Sequence, residues 1–267
     1  MKLRPEPHGA KFHWSLTRLG LSFSLLLSAT ANATPWVLLY SSENESCWEE
    51  NWFLEGPKAS VVTQPNGFIF SAGPDIENPE SHAVLWSKSI YSGDIKVEYE
   101  YTRLDSMNAA TSVNILYLLA SGRGTDESPP DIRSTTTARQ IPWMRSYFLE
   151  MNLLHISYAA TGPQRSNYVS ARRYPANSVS SFNSDTLVTP VYDNVNMFSL
   201  GVAHQITATK IGDTLQFEAH HAEGSELFNW DLSSYDPVLS GRVGFRHMWG
   251  RSSQYRNIKI YGKENFK

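Results

Sequence analysis

The stretch HQITATKIGDTLQFEAHH, residues 204–221, decides the fold of this chain. Apolar and polar residues alternate from Ile206 to Lys210 and again from Leu215 to Ala219, with Gly212-Asp213 between the two runs. Alternation with a period of two is typical of a half-buried strand, and glycine beside aspartate favours a tight turn. The stretch therefore predicts an antiparallel β-hairpin.

The same kind of pattern recurs along most of the chain. Short runs rich in Val, Ile, Tyr, Phe and Thr are separated by Gly, Pro, Asn, Asp and Ser, which predicts further strands and turns. At least nine or ten strands predict an all-β fold, an antiparallel two-sheet jelly-roll sandwich. The further strands are predicted at residues 60–71, 82–88, 94–103, 112–120, 152–159, 197–203, 242–249 and 256–262.

The first 33 residues have the order of a secretory signal peptide. Four basic residues precede the apolar run LGLSFSLLLSA, and Ala31-Asn32-Ala33 supplies a small-residue cleavage site after it. The run is shorter than the roughly 20 residues that span a bilayer, and we predict no membrane span. We expect residues 34–267 to form a single β-sandwich domain that is periplasmic or secreted.

Charge and cysteine content narrow the possible partners. The predicted leader carries four of the 23 Lys and Arg residues and one of the 26 Asp and Glu residues, which leaves 19 and 25, a net charge of −6. An acidic chain is not expected to bind nucleic acid. Cys47 is the single cysteine, so no intrachain disulfide can form. His220-His221 lack further ligands at metal-binding spacing, and we predict no cofactor, with a structural calcium ion left open.

His155 and Arg246 are expected to point away from the core, on the opposite face of their strands from the apolar residues beside them. If Leu154, Ile156 and Tyr158 face the core, His155 faces the opposite way, because alternate residues of a strand point to opposite sides. By the same rule Arg246 points out of the core, and the adjacent Gly244 leaves room beside it.

Glu98 and Glu100 share one face of another predicted strand. If this strand adjoins those of His155 and Arg246, the sheet presents two carboxylates, an imidazole and a guanidinium, which is an acid/base set. The alternative is an ordinary polar sheet surface with ion pairs across strands.

Two long polar segments, residues 121–147 and 162–190, are predicted to be loops, and loops of that length in a compact domain are often functional. Trp143 is expected to be exposed, where an indole can stack on a sugar. Arginine binds carboxylate and sulfate in a bidentate manner, so a basic rim favours an anionic ligand over the alternative of scattered solvated arginines. The arginines of these segments are Arg123, Arg133, Arg139, Arg145, Arg165, Arg172 and Arg173.

Three segments, HAVLWSKSIYSGDIKVEYEY, NLLHISYAA and GRVGFRHMWGRSSQYRNIKIYG, resemble the YesU-like family of bacterial proteins in the concanavalin A-like lectin/glucanase superfamily. The resemblance spans roughly residues 48–262. It implies a jelly roll with a concave sheet and association with carbohydrate, often acidic polysaccharide, but the family has no established mechanism. The insertion at residues 125–145 departs from it. The site positions that the resemblance implies are His82, Trp86, His155, Tyr158, Arg246 and Tyr255.

The preferred hypothesis is a lyase that cleaves an acidic polysaccharide by β-elimination. Arg246 would neutralise the uronate carboxylate, His155 would take the C5 proton, and Tyr158 or Tyr255 would protonate the leaving oxygen. In a regular strand His155 and Tyr158 point to opposite faces, so both reach one groove only with difficulty. Tyr255, expected on a loop, is therefore the preferred candidate for the general acid.

Two alternatives stay open. Glu98 and Glu100, about 6.5 to 7 Å apart along a strand, suit a glycoside hydrolase with a carboxylate pair. A non-catalytic carbohydrate-binding protein needs only aromatic and basic contacts. The fold hosts all three functions, and the oligomeric state is not predicted. The residues predicted to bind a polysaccharide or oligosaccharide are His82, Trp86, Trp143, Arg145 and Arg172.

Overall fold

The computed structural model describes residues 35–108, 110–124, 130–136, 139–163 and 166–263. The predicted signal peptide lies outside these residues. Contacts within residues 34–267 form one compact unit. In the described part of the chain, no helix is both long enough and apolar enough to cross a membrane.

The first sheet contains eight antiparallel strands within the described ranges. They are β1 (Trp36–Ser41), β3 (Ser60–Gln64), β4 (Gly67–Ser71), β7 (Ile95–Arg103), β12 (Ala203–Ile211), β13 (Thr214–His221), β14 (Gly224–Asp231) and β16 (Ser252–Lys263). Their spatial order is β14-β13-β12-β7-β16-β4-β3, and β1 pairs with β16 at the side of this path.

The second sheet also contains eight antiparallel strands among the residues described. They are β2 (Trp52–Glu55), β5 (Ala83–Ser87), β6 (Tyr91–Ser92), β8 (Ser112–Gly122), β9 (Met151–Thr161), β10 (Tyr168–Tyr174), β11 (Leu187–Asp193) and β15 (Ser240–His247). Their order is β11-β10-β9-β8-β15-β5-β2, with β6 beside β15. Two short helices, α1 (Met144–Glu150) and α2 (Phe182–Thr186), precede β9 and β11.

The hairpin predicted from residues 204–221 is confirmed as β12 and β13. Ile211 pairs with Thr214 around the turn, and Gly212 adopts a positive φ of 52°, which glycine tolerates without strain. The apolar residues of both runs, such as Ile206 and Phe217, are buried between the sheets. The predicted all-β jelly-roll sandwich is therefore confirmed.

Aromatic side chains from both sheets fill the space between them. Phe245 of β15 and Tyr255 of β16 come from opposite sheets, and their ring centroids lie 4.3 Å apart. Trp52 stacks on Phe245 at 5.4 Å, and Phe68 packs edge-on against both Trp52 and Phe245. Each such side chain contributes roughly 1.5–3 kcal/mol by leaving water, so this seam holds the sandwich together.

Several predicted elements differ from the observed ones. The run 60–71 is a hairpin, β3 and β4, because Asn66 takes a positive φ of 61° at its middle. Residues 197–203 form no strand over most of their length: Met197 and Phe198 are buried, which gave an apolar pattern, but Phe198 has a φ of 67°.

The predicted loop 162–190 is also wrong, because it contains β10, α2 and the start of β11. Strand β10 was not predicted because it contains two adjacent arginines, although its other residues favour β structure.

Candidate functional site

The predicted acid/base residues are divided between the two sheets. His155 on β9 and Arg246 on β15 belong to the second sheet, whereas Glu98 and Glu100 on β7 belong to the first. The assumption that these strands adjoin is wrong for β7, which pairs with β12 and β16. Alternation along one strand fixes which residues share a face but carries no information on which distant strand lies beside it.

His155 and Arg246 both face outward from the second sheet, as alternation predicts. Leu154, Ile156 and Tyr158 lie in the core between the sheets. Strand β8 separates β9 from β15, and its Tyr117 is opposite His155 while its Ile115 is opposite Arg246. The two polar residues are thus diagonal neighbours across one strand.

This outer face is covered. Residues 139–150, which we call the cover, place Tyr147 and Phe148 of α1 in a second hydrophobic cluster against β5, β8 and β9, and Ile132 joins them. The sequence looked like a polar loop because these three apolar side chains are spaced among Ser, Thr and Arg. The cluster also includes Val84, Trp86, Val113, Ile115, Tyr117, Met151, Leu153, Tyr168 and Tyr174.

A buried carboxylate anchors the cover to the sheet. Glu55, at the end of β2, accepts two hydrogen bonds from the Arg139 guanidinium, at 2.7 and 3.0 Å. The hydroxyl of Tyr147 donates to Glu55 at 2.6 Å, and the indole Nε1 of Trp86 donates at 2.9 Å. Both ion-pair partners are almost fully buried, so removing one leaves an uncompensated charge.

Arg246 is completely buried and has no carboxylate partner among the described residues. Its Nη2 donates to the carbonyl of Pro142 at 2.6 Å and to Nδ1 of His82 at 3.1 Å. The guanidinium lies 4.4 Å from the ring centroid of Tyr147, a cation–π contact. Its Nε and Nη1 have no hydrogen-bond partner within the described part of the chain.

His82 and Trp86 lie beside Arg246 on the same face. Burial, with the positive charge of Arg246, lowers the pKa of His82 to about 3, and its ring stacks on Trp249 at 4.6 Å. The indole of Trp86 stacks on Tyr117 at 5.4 Å. The structure therefore brings together His82, Trp86, His155 and Arg246, four of the predicted site residues.

His155 is held by two hydrogen bonds inside this cluster. Its Nδ1 lies 2.8 Å from the hydroxyl of Tyr174, and its Nε2 lies 2.6 Å from the hydroxyl of Ser157. Burial lowers its pKa well below the usual value, and the charges of Arg172 and Arg246 act in the same direction. The imidazole is thus neutral, as a general base requires, but it is 2% exposed.

Tyr158 and Tyr255 lie on the opposite face of the sheet from His155. Both are fully buried between the sheets, and their hydroxyls are 3.4 Å apart. Tyr255 belongs to β16 rather than to a loop, and its hydroxyl bonds to His247 at 2.8 Å. Burial raises the pKa of both phenols. The expectation that Tyr255 reaches His155 from a loop is wrong, because the backbone of the second sheet separates them.

Glu98 and Glu100 take part in ion pairs on the outside of the first sheet. Glu98 pairs with Lys96, and Glu100 lies 3.6 Å from Arg256 and accepts a hydrogen bond from Gln205. This arrangement is the ordinary polar sheet surface that the sequence left as the alternative.

Trp143 and Arg145 lie on the outside of the cover and line one pocket. The pocket has a volume of about 500 Å³, and its other lining residues are Gln140, Ser146, Leu149 and Glu150. Trp143 is half-buried and Arg145 is exposed. A turn holds the rim, because the Trp143 amide donates to the Gln140 carbonyl at 2.7 Å.

Arg172 packs α2 against β10. Its guanidinium donates to Thr186 at 3.0 Å and Asn183 at 2.9 Å, and it lies 4.2 Å from the ring centroid of Phe182. Within the described ranges, no three His, Cys, Asp or Glu side chains are grouped to hold a metal ion.

Sequence reasoning missed Glu55, Arg139 as its partner, and Tyr147. One signal was present: Glu55 ends the apolar strand WFLE, and a carboxylate at such a position needs a buried cation. Arg139 was counted among rim arginines, since nothing local shows that a residue 84 positions away folds onto it.

Solved structures of similar fold include three from different sources. A Bacillus subtilis protein of unknown function with a galectin-like fold has a TM-score of 0.61 at 16% identity, over 86% of this chain and 100% of that one. A lectin from Bauhinia forficata in complex with GalNAc has a TM-score of 0.54 at 8% identity, over 86% and 100%. A legume lectin-like domain from Entamoeba histolytica has a TM-score of 0.53 at 9% identity, over 85% and 97%.

No protein-family model matches the chain, and no curated protein matches it either. The resemblance to the YesU-like family stays a prediction. The solved structures show that the chain has a lectin-like jelly-roll fold.

Proposed function

We propose that this is a non-catalytic, extracytoplasmic carbohydrate-binding protein whose saccharide stacks on Trp143. The observation that carries the proposal is the pocket on the outside of the cover, where a half-buried indole is surrounded by hydrogen-bonding side chains. Sugar faces stack on aromatic rings, and their hydroxyls need donors and acceptors at the rim. The lectin-like fold is compatible with this role but does not by itself establish it.

The pocket combines the chemical groups that a saccharide needs. Gln140 and Ser146 offer neutral donors and acceptors, while Arg145 and Glu150 offer one charge of each sign. Opposite charges at the rim give no net preference for an anionic ligand. The pocket volume, about 500 Å³, falls in the range of small-ligand sites. A neutral oligosaccharide end is therefore the ligand we assign to this pocket.

Elimination chemistry has weaker support. Its proposed base and cation, His155 and Arg246, share a face but are buried beneath the cover, and its proposed acids lie in the core. A general acid must reach within hydrogen-bond distance of the leaving oxygen. A lyase would need both the cover to leave and another acid to be found.

The test is a titration with a panel of neutral and acidic polysaccharides, followed by intrinsic fluorescence and calorimetry. We expect at least one polymer to bind and Trp143→Ala to abolish that binding. The matched control is Trp36→Ala, a half-buried indole on the edge strand β1 of the first sheet. Equal affinity in wild type and Trp143→Ala, or no binding to any polymer, would contradict the proposal.

A further inference from the structure

The cluster beneath the cover contains more positive than negative buried charge. Arg139 and Arg246 are two buried guanidinium groups, and Glu55 is the one buried carboxylate hydrogen-bonded to either of them among the described residues. Glu55 gives both oxygens to Arg139. The groups that face the Arg246 guanidinium as acceptors in the described ranges, which are the carbonyl of Pro142, the ring of His82 and the hydroxyl of Tyr117, are all neutral. Burying a charge without a counter-charge is costly, so this excess of one positive charge calls for an anion.

The unpartnered atoms near Arg246 are all donors. Because arginine can only donate, Nδ1 of His82 must accept from it, which puts the hydrogen of a neutral ring on Nε2. That Nε2, the Nε and Nη1 of Arg246 and the Nε1 of Trp249 are buried without partners in the described ranges. The rings of His82 and Trp249 stack at 4.6 Å, so their donors belong to one locality. These unpartnered donors lack an acceptor, and a carboxylate would supply two acceptor oxygens.

We propose that Arg246 and His82 form a binding site for a ligand carboxylate, which replaces the carbonyl of Pro142 when the cover is displaced. Arginine matches a carboxylate in planar bidentate geometry, and one excess charge suits a monoanion better than a dianion. The carboxylate comes from an acidic sugar or from a simple organic acid. This site lies on the sheet beneath the cover, whereas the Trp143 pocket lies on the outside of the cover.

The cover sets the affinity of this site. In the closed structure, Tyr147 lies over the Arg246 guanidinium and donates to Glu55, so the ligand must compete with these contacts. Apparent affinity falls with the fraction of molecules that are open. A change that weakens the closed form while leaving Arg246 intact must therefore tighten binding.

The experiment is calorimetry of the full chain with sodium glucuronate, sodium acetate and neutral methyl glucoside at equal ionic strength. We expect glucuronate to bind and Arg246→Met, which keeps the aliphatic stem, to weaken it by about tenfold or more through loss of a charged hydrogen bond. Tyr147→Phe removes only the hydroxyl bond to Glu55 and is expected to tighten binding about fivefold. Arg256→Met, on the first sheet, is the control and leaves affinity unchanged.

The outcomes separate this site from the Trp143 pocket. Acetate binding as tightly as glucuronate assigns the site to simple organic acids, and glucuronate alone assigns it to acidic sugars. Loss of glucuronate binding in Trp143→Ala with retention in Arg246→Met would overturn the proposal and leave the carbohydrate pocket standing. Absence of glucuronate and acetate binding, or no effect of Tyr147→Phe, would overturn it too. Where Arg246→Met does not fold, the affinity of Tyr147→Phe for glucuronate tests the proposal, because that variant keeps Arg246.

Discussion

The indole of Trp86 lies directly over Gly244 of the neighbouring strand. The two residues are register partners on β5 and β15, and a Cβ built on Gly244 would lie 2.3 Å from Cε3 of Trp86. Absence of a side chain at this position lets the indole cross β15 to stack on Tyr117 of β8, while its Nε1 donates to Glu55 of β2 on the other side. A single glycine thus positions the ring that links the sheet to the carboxylate beneath the cover.

Gly244→Ala is expected to destabilise the protein by about 1–3 kcal/mol, the usual cost of overpacking a buried site. The new methyl group meets a fully buried ring that cannot move without breaking its bond to Glu55. The free energy of unfolding in urea measures the effect. The matched control is Gly224→Ala on the edge strand β14, where a Cβ would have no heavy atom within 4 Å. Equal losses in the two variants would contradict the steric explanation.

Glu55→Gln is expected to cost about 3–5 kcal/mol, because it leaves the buried Arg139 without a counter-charge. The amide has nearly the shape of the carboxylate, so the change tests charge rather than volume. The control is Glu98→Gln, whose partner Lys96 is partly exposed, and there we expect a loss below about 1 kcal/mol. Urea unfolding compares the two, and a Glu55→Gln variant as stable as Glu98→Gln would refute the role given to this ion pair.

Polysaccharide incubation is expected to produce neither absorbance near 235 nm nor new reducing ends. His155 and Arg246 are buried under the cover, and Glu98 and Glu100 are engaged in surface ion pairs. Absorbance would establish elimination, and loss of it in His155→Ala and Arg246→Ala would restore the lyase hypothesis. Reducing ends without absorbance, lost in Glu98→Gln, would instead support hydrolysis.

Local patterns were sufficient for the parts of this molecule that depend on near neighbours. The hairpin β12–β13 and the outward direction of His155 and Arg246 follow from alternation, since a strand has a period of two whatever it pairs with. The resemblance to a known family also pointed to four residues that do share one face. These inferences needed no knowledge of distant contacts.

The parts that failed depend on long-range pairing. Tyr255 looked like a loop residue because strand β16 extends further towards its N-terminal end than the apolar pattern does. Arg139 looked like a solvated rim residue, but Glu55 lies 84 positions earlier in the chain. The sequence did not predict that the cover packs on the sheet, because its few apolar side chains have no regular period. They share a face only through their contacts with the sheet beneath them.

Acidification below the ordinary histidine pKa is expected to destabilise the protein through its buried imidazoles. The pKa of His82 is lowered to about 3 by burial and by Arg246, so between about pH 6.5 and 3 the unfolded chain binds a proton there that the folded chain does not. Stability therefore rises with pH across this window and falls as pH drops, by up to about 1.4 kcal/mol per pH unit for one histidine. The pKa of His155 is lowered as well, and it acts in the same direction.

The measurement is the free energy of unfolding from urea curves between pH 4.5 and pH 7 for wild type and His82→Gln. Glutamine stays uncharged in both states, so the slope against pH is expected to decrease by about 1.4 kcal/mol per pH unit. Gln216→Asn, on β13 of the first sheet, changes no titratable group and is the control that keeps the wild-type slope. A His82→Gln slope equal to that of Gln216→Asn would mean that His82 is protonated equally in the folded and unfolded chains, and that Arg246 does not lie beside a neutral ring.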